Sequence, residues 1–372
     1  MRPSTSVRRW VTRGSVAAFA SVGLAVGVMA GAGSAQASAG HHSAVVNPYS
    51  PAYHHSYRHG AVPTIAQQGK MNAWSAAHHS KASLLAFGGG IDGIGVTDGT
   101  EKVYLVFYSG KWGTETPSGC NGLTSTCTFS GDAKGMAPRL QEFFKGLGTN
   151  SEAWSTVMTQ YCQGVSVGAT SCPSTNTQHV AYPTGGATLA GVWYDSRKEP
   201  FTASGHNLGV QAVSAAAHFG NTTAASNRDA QYVIVSGTGK NPDGWLTNGF
   251  CAWHDYNGDT TLSGGAVTSP YGDISFTNLP YIPDAGSSCG QNFVNSNGPL
   301  DGVTIVEGHE YAETITDQNP AGGWTDSSGA ENGDKCAWIT PGTPGGSHDL
   351  TLSTGSFAVQ TTWSNNGSHC AG

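Results

Sequence analysis

The chain has 372 residues and a formal net charge of −7, with only 11% charged residues. Sparse, net-acidic charge does not suit nucleic acid or an anionic membrane surface as a partner. The 53 glycines stand beside 10 tryptophans, 13 tyrosines and 12 phenylalanines, so the composition reads as loop-rich and globular rather than disordered.

Arg2, Arg8, Arg9 and Arg13 flank or precede an uncharged run of small and apolar residues, 14–33. Ala35-Gln36-Ala37 and Ala37-Ser38-Ala39 then offer small-x-small cleavage sites. This order predicts a secretory signal peptide over 1–39 and an extracellular protein. Without those four arginines the remainder carries about −11. No later stretch is apolar for long enough to cross a bilayer, so no membrane span is expected in the mature form.

All eight cysteines lie beyond that segment, and an even count in an exported chain predicts four disulfides. Spacing leaves the connectivity open. Pairing each cysteine with its neighbour gives Cys120–Cys127, Cys162–Cys172, Cys251–Cys289 and Cys336–Cys370. The absence of any Cys-x-x-Cys pair argues against a zinc–cysteine site.

Residues 40–98 form a cysteine-free leader rich in histidine: His41, His42, His54, His55, His59, His78 and His79. Its composition predicts a solvated leader or linker, with a propeptide that blocks the site as the alternative. A single disulfide-bonded domain is expected over 99–372. In chain order, 103–108 reads as a buried strand and 132–145 as a helix interrupted early by Pro138. A helix capped by Ser151 runs to about Tyr161, and 191–194 is a short strand. Residues 208–219 read as a helix, 231–236 as a strand, 303–316 as a helix and 356–363 as an alternating strand. The mixture is α+β.

The sharpest motif lies in the 303–316 helix. His309 and Glu313 are four apart, one turn along the same face, with Glu310 between them. This is the His-Glu-x-x-His zinc motif with glutamate in place of the second histidine, and a carboxylate is an acceptable zinc ligand. Glu310 is then the general base. A catalytic zinc needs one more protein ligand. In thermolysin-like zincins, which this stretch resembles, a downstream glutamate supplies it while a nearby aspartate orients the first histidine. The resemblance implies Glu331 as third ligand, with Asp317 and Asp326 as rivals, and Asp334 as the residue that orients His309. This part resembles thermolysin-like zincins, which implies a zincin-like domain: a mixed sheet, an active-site helix, long disulfide-bonded loops, and a cleft strand near Tyr281.

Three weaker patterns compete. Asp255, Asn257 and Asp259 alternate like a calcium loop but lack its glycine and final glutamate, so an ordinary turn is favoured over calcium. His254 beside them could reach an active site as an acid or oxyanion donor. Gly164-Val-Ser166-Val-Gly168 matches a nucleophile elbow, which needs a strand before it and a helix after it. Trp245, Trp253, Trp324 and Trp338 suit either a sugar-stacking surface or the core.

Several blocks carry a second resemblance: Val103 to Gly110, Gly249 to His254, Leu279 to Asp284 with Cys289, Leu300 to Val303, Thr314 to Asp317, and Glu331 with Cys336. In this order they resemble the exordium, or phosphate-induced, family of extracellular plant proteins and their bacterial relatives. That likeness implies one shared domain outside the cell and no agreed catalytic activity. Two functions therefore stand at this point. One is a secreted zinc metallopeptidase acting on extracellular protein or peptide. The other is a non-catalytic, wall-associated binding protein of the exordium type.

Overall fold

The computed structural model describes residues 47–78 and 83–372, which belong to one compact unit, Ala44–Gly372. The expected signal peptide lies outside the described residues, as do His41, His42 and His79 of the leader. Among the described residues no helix is long and apolar enough to cross a membrane.

The fold is mixed α and β around a six-stranded sheet. Its strands are β1 (His59–Pro63), β2 (Lys102–Tyr108), β3 (Leu189–Asp195), β4 (Ala230–Ser236), β5 (Phe250–Tyr256) and β6 (Ser275–Leu279). In space they run β1-β5-β6-β4-β2-β3. The β6-β4-β2-β3 part is parallel. This matches the near-continuous apolar runs of β2 and β4, which are covered on both faces. β5 and then β1 add antiparallel at one end.

The main helices are α1 (Ile65–Ala77), α2 (Met136–Gly146), α3 (Gly205–His218) and α4 (Asp301–Thr316). All sixteen residues of α4 are buried. It packs against β1 and β5 on one side and against α2 and the hairpin formed by β7 (His348–Leu352) and β8 (Gly355–Val359) on the other. So deep a position requires close backbone approach: a Cβ on Gly302 would lie 1.8 Å from the Cys289 carbonyl oxygen.

The four disulfides pair each cysteine with its neighbour in sequence. Cys251–Cys289 ties β5 to the loop before α4.

Several boundaries differ from the sequence expectation for local reasons. Pro138 does not break α2. It sits in the first turn, where its missing N–H costs nothing, and Asp132 caps the helix by accepting from the Met136 and Ala137 amides at 3.0 and 2.8 Å. The helix expected to start at Ser151 is only Trp154–Met158, with the Glu152 carboxylate accepting from the Ser155 amide at 2.8 Å. The expected strand 356–363 divides into β8 and β9 (Thr362–Ser364), leaving Gln360 between them. No strand includes Tyr281: β6 stops at Leu279, and the Tyr281 hydroxyl donates to Asp132 at 2.7 Å. The strands beside α4 are β5 and β1. Part of the leader is also not solvated, because Gly60 to Pro63 are buried within the sheet.

Candidate metal centre

The helical spacing brings His309, Glu310 and Glu313 to one region of α4, all with 0% exposure. His309 Nε2 lies 2.9 Å from Glu313 Oε2. The loop after α4 returns Glu331 and Asp334 to the same place. Asp334 Oδ1 is 3.8 Å from His309 Nε2, and the Asp334 amide donates to Glu313 Oε1 at 2.8 Å. β5 supplies His254, whose Nε2 is 3.3 Å from Glu331 Oε2 and 3.9 Å from Glu313 Oε2. Ligand atoms of His309, Glu313 and Asp334 lie within 4.8 Å of one another, and so do those of His254, Glu310 and Glu313.

Sequence reasoning misassigned the support of His309. Asp334 lies on its Nε2 side, whereas its Nδ1 meets Gln360 Oε1 at 3.0 Å. The Gln360 amide nitrogen donates to the Gly333 carbonyl at 2.8 Å, which orients the oxygen toward the imidazole. Nδ1 therefore carries a proton, and Nε2 is the nitrogen aimed at the carboxylates. Gln360 also braces the 331–334 loop against α4. Sequence offered no signal for it beyond its place in an expected strand.

The electrostatics are those of a site with too much negative charge. Among the described residues, the carboxylates of Glu310, Glu313 and Glu331 have no Lys or Arg within ion-pair distance. Glu313 Oε2 and both oxygens of Glu310 and Glu331 are buried without a hydrogen-bond partner, as are both ring nitrogens of His254. Burial, then the charges of Glu313, Glu307 and Asp334, pushes Glu310 well above the usual carboxylate range. Burial, then Asp317, Glu313, Asp334 and Glu310, does the same to Glu331. Burial would depress His309, but Glu313 and Asp334 raise it to about 9. Burial lowers His254 far below 6.5, with the His59 and His309 charges adding to it. Uncompensated buried carboxylates cost several kcal/mol each, and a divalent cation among them removes that cost. The donor set of imidazole nitrogens and carboxylate oxygens suits zinc.

The rival ligands are engaged elsewhere. Asp317 accepts from the Ala321 and Gly323 amides at 2.8 and 2.5 Å and closes the turn after α4. Asp326 pairs with Lys335 at 3.1 Å and accepts from Ser328. In the acidic loop, Asn257 bonds the Val267 and Ile274 backbone groups. Asp255 and Asp259 instead cluster with His59 of β1. Ser166 lies in an exposed turn closed by Cys162–Cys172, with neither the strand nor the helix an elbow requires. The four singled-out tryptophans are all buried and present no stacking surface.

One further group enters the site from β1. The Gly60 carbonyl oxygen is 3.1 Å from His309 Nε2. Gly60 has φ +52, and a Cβ there would lie 1.9 Å from Glu313 Oε2 and 2.8 Å from His254 Nε2. Only glycine fits, both for its backbone angle and for lack of space.

Comparisons with protein-family models, with curated proteins and with solved structures each returned no match.

Proposed function

We propose that the protein is a secreted zinc-dependent hydrolase, specifically a metallopeptidase, built on a zincin-like α+β domain. The observation that carries this reading is the pair of buried clusters that share Glu313, His309 with Asp334 and His254 with Glu310, together with Glu331 at 3.3 Å from His254, and among the described residues no Lys or Arg pairs with Glu310, Glu313 or Glu331. His309, Glu313 and Glu331 would hold the zinc. Bound zinc supplies Lewis-acid polarisation of the substrate carbonyl and a lowered pKa for the attacking water.

The chain's own residues do the rest. Glu310 lies next to the ligand cluster with both oxygens free of other partners, so it can accept the water proton and return it to the leaving amine. His254 approaches from the opposite wall and can donate to the developing oxyanion. Gln360 accepts from His309 Nδ1 and so leaves Nε2 as the nitrogen that would take a metal in place of its proton. Export fits four disulfides with no free cysteine among the described residues.

A second reading, a non-catalytic extracellular binding protein of the exordium type, draws support from the Gly60 carbonyl. Structural metal sites are closed, whereas catalytic ones keep a position open. The two readings separate on one experiment. Purified protein should hold one zinc per chain, and Glu310→Gln should keep the zinc while losing peptide hydrolysis. Zinc-free native protein, or a Glu310→Gln variant as active as the wild type, would sink the enzyme reading.

A further inference from the structure

We propose that β1 is a built-in peptide ligand of the site: it occupies the groove between β5 and α4 that an extended peptide substrate occupies, and it keeps that groove closed. This inference rests on the metallopeptidase reading and adds the substrate register and the regulation of the same site.

The geometry of β1 is that of a bound peptide. It pairs antiparallel with β5 as the outermost strand of the sheet, with His59 opposite His254, Val62 opposite Ala252 and Pro63 opposite Phe250. Adding a strand to a sheet edge is a standard way of binding an extended peptide, because main-chain hydrogen bonds supply the affinity whatever the sequence. The pairing is irregular between His59 and Val62. An irregularity there bends the strand locally, and at that point the Gly60 carbonyl meets His309 Nε2 at 3.1 Å. The Val62 amide lies near the Glu310 carboxylate, neither oxygen of which closes a hydrogen bond.

A backbone carbonyl at the ligand histidine, with an amide two residues on at the general base, is how a substrate backbone would lie. A substrate carbonyl and the Gly60 carbonyl need the same space, so the two exclude each other. The missing side chain at Gly60 defines the register. Any Cβ would overlap Glu313 Oε2, so the site takes glycine at the residue whose carbonyl faces His309.

The strand is held from outside the site. Arg58 makes a buried ion pair with Asp243 at 2.7 Å, the Tyr57 hydroxyl donates to the same carboxylate, and Trp338 Nε1 donates to the Pro63 carbonyl at 2.7 Å. Beyond Pro63, α1 has no fully buried residue, and what holds the segment there is the Thr64 amide donating to the Gly249 carbonyl at 2.9 Å and Ile65 packing against the core, so the attachment to the body is mainly through 57–65. A cavity of ≈ 400 Å³ opens alongside and touches His59, Gly60 and Asp334, which gives the strand a way out.

The test uses the full, folded, zinc-loaded chain with a site-specific protease sequence inserted after Gly69 on the exposed face of α1. After cleavage, the N-terminal fragment should be removable by washing with a competing peptide, and the remainder should stay folded by circular dichroism. The freed protein should bind a fluorescein-labelled peptide of residues 56–64 by anisotropy. The same peptide with Gly60→Val should bind about tenfold or more weakly, because the added side chain overpacks the site. Hydrolysis of a glycine-containing reporter peptide should rise about tenfold or more once the groove is open. In the uncut chain, Gly60→Val should speed removal of zinc by a chelator. The inference is overturned if the uncut chain hydrolyses the reporter as fast as the freed one, if the freed protein ignores the 56–64 peptide, or if it unfolds when the fragment leaves. Peptide rebinding with glycine selectivity but no zinc in any form would instead remove the metallopeptidase reading and leave the groove assignment standing.

Discussion

His309 Nδ1 lies 3.0 Å from Gln360 Oε1, and this contact decides which nitrogen of the histidine faces the carboxylates. Such outer partners of ligand histidines fix ring orientation and raise basicity, and losing one typically costs about 10–100-fold in metal affinity. Gln360→Leu should therefore weaken zinc binding by about that factor in a competition titration with a chromophoric chelator. Gln360→Glu keeps an acceptor and should recover part of the loss. Equal affinity in the wild type and Gln360→Leu would mean that the ring is held in some other way.

Metal removal should destabilise the fold. His309, Glu310 and Glu313 on α4, Asp334 on the following loop and His254 on β5 are brought together only by folding, with Glu331 beside His254, so a cation bound among them stabilises the native state over the unfolded chain. Exhaustive chelation should lower the thermal midpoint by on the order of 5–10 °C, reversed by adding zinc back. The same experiment on a variant with Glu313→Gln and Glu331→Gln should show little effect of chelator. A wild-type midpoint indifferent to chelator would argue against a bound metal.

The site was legible in the sequence where local spacing defined it and illegible where the chain returned from afar. His309, Glu310 and Glu313 could be read because a helix places residues four apart on one face, and α4 spans them all. Glu331 follows on the loop after α4, and the structure places it beside His254. His254 and Gln360 reach the same point from β5 and from the break between β8 and β9, and no period in the sequence announces that meeting. The parallel strands β2 and β4 were visible as continuous apolar runs. β1 was not: five residues of His-Gly-Ala-Val-Pro have no alternation to distinguish them from linker, and only pairing with β5 makes them a strand. The cysteine pairs fell in the simplest order, although nothing in their spacing required it.

A pH effect on stability is expected from Glu199, outside the site. Burial raises its pKa to about 7, only partly offset by the Ser236 hydroxyl and the Lys240 charge. A carboxyl with a folded pKa above its unfolded value keeps its proton longer in the native state, so the native state binds more protons between roughly pH 4.5 and 7. Stability from this group is therefore present below pH 4.5 and declines as pH rises to 7. The decline should be on the order of 2–3 kcal/mol. Urea unfolding of Glu199→Gln should lack this component, so the wild-type and variant pH profiles should diverge across that window. Parallel profiles would show that Glu199 ionises normally in the fold.

The third ligand is the remaining choice at the centre, between Glu331 and Asp334. Asp334 is close enough, with Oδ1 3.8 Å from His309 Nε2. Its other oxygen, however, accepts from the Glu331 amide at 3.1 Å, and its side chain is 23% exposed, so its charge already has a partner and water. Both oxygens of Glu331 are buried without partners, and one faces His254 at 3.3 Å. A buried, unpaired carboxylate gains far more from a cation than one already solvated. Glu331→Gln should thus reduce zinc affinity by about 100-fold or more, whereas Asp334→Asn should cost about tenfold or less through loosening of the 331–334 loop. Cobalt substitution gives a second readout: the visible spectrum should change in Glu331→Gln and persist in Asp334→Asn. The reverse pattern would assign the ligand to Asp334 and leave Glu331 as the partner of His254.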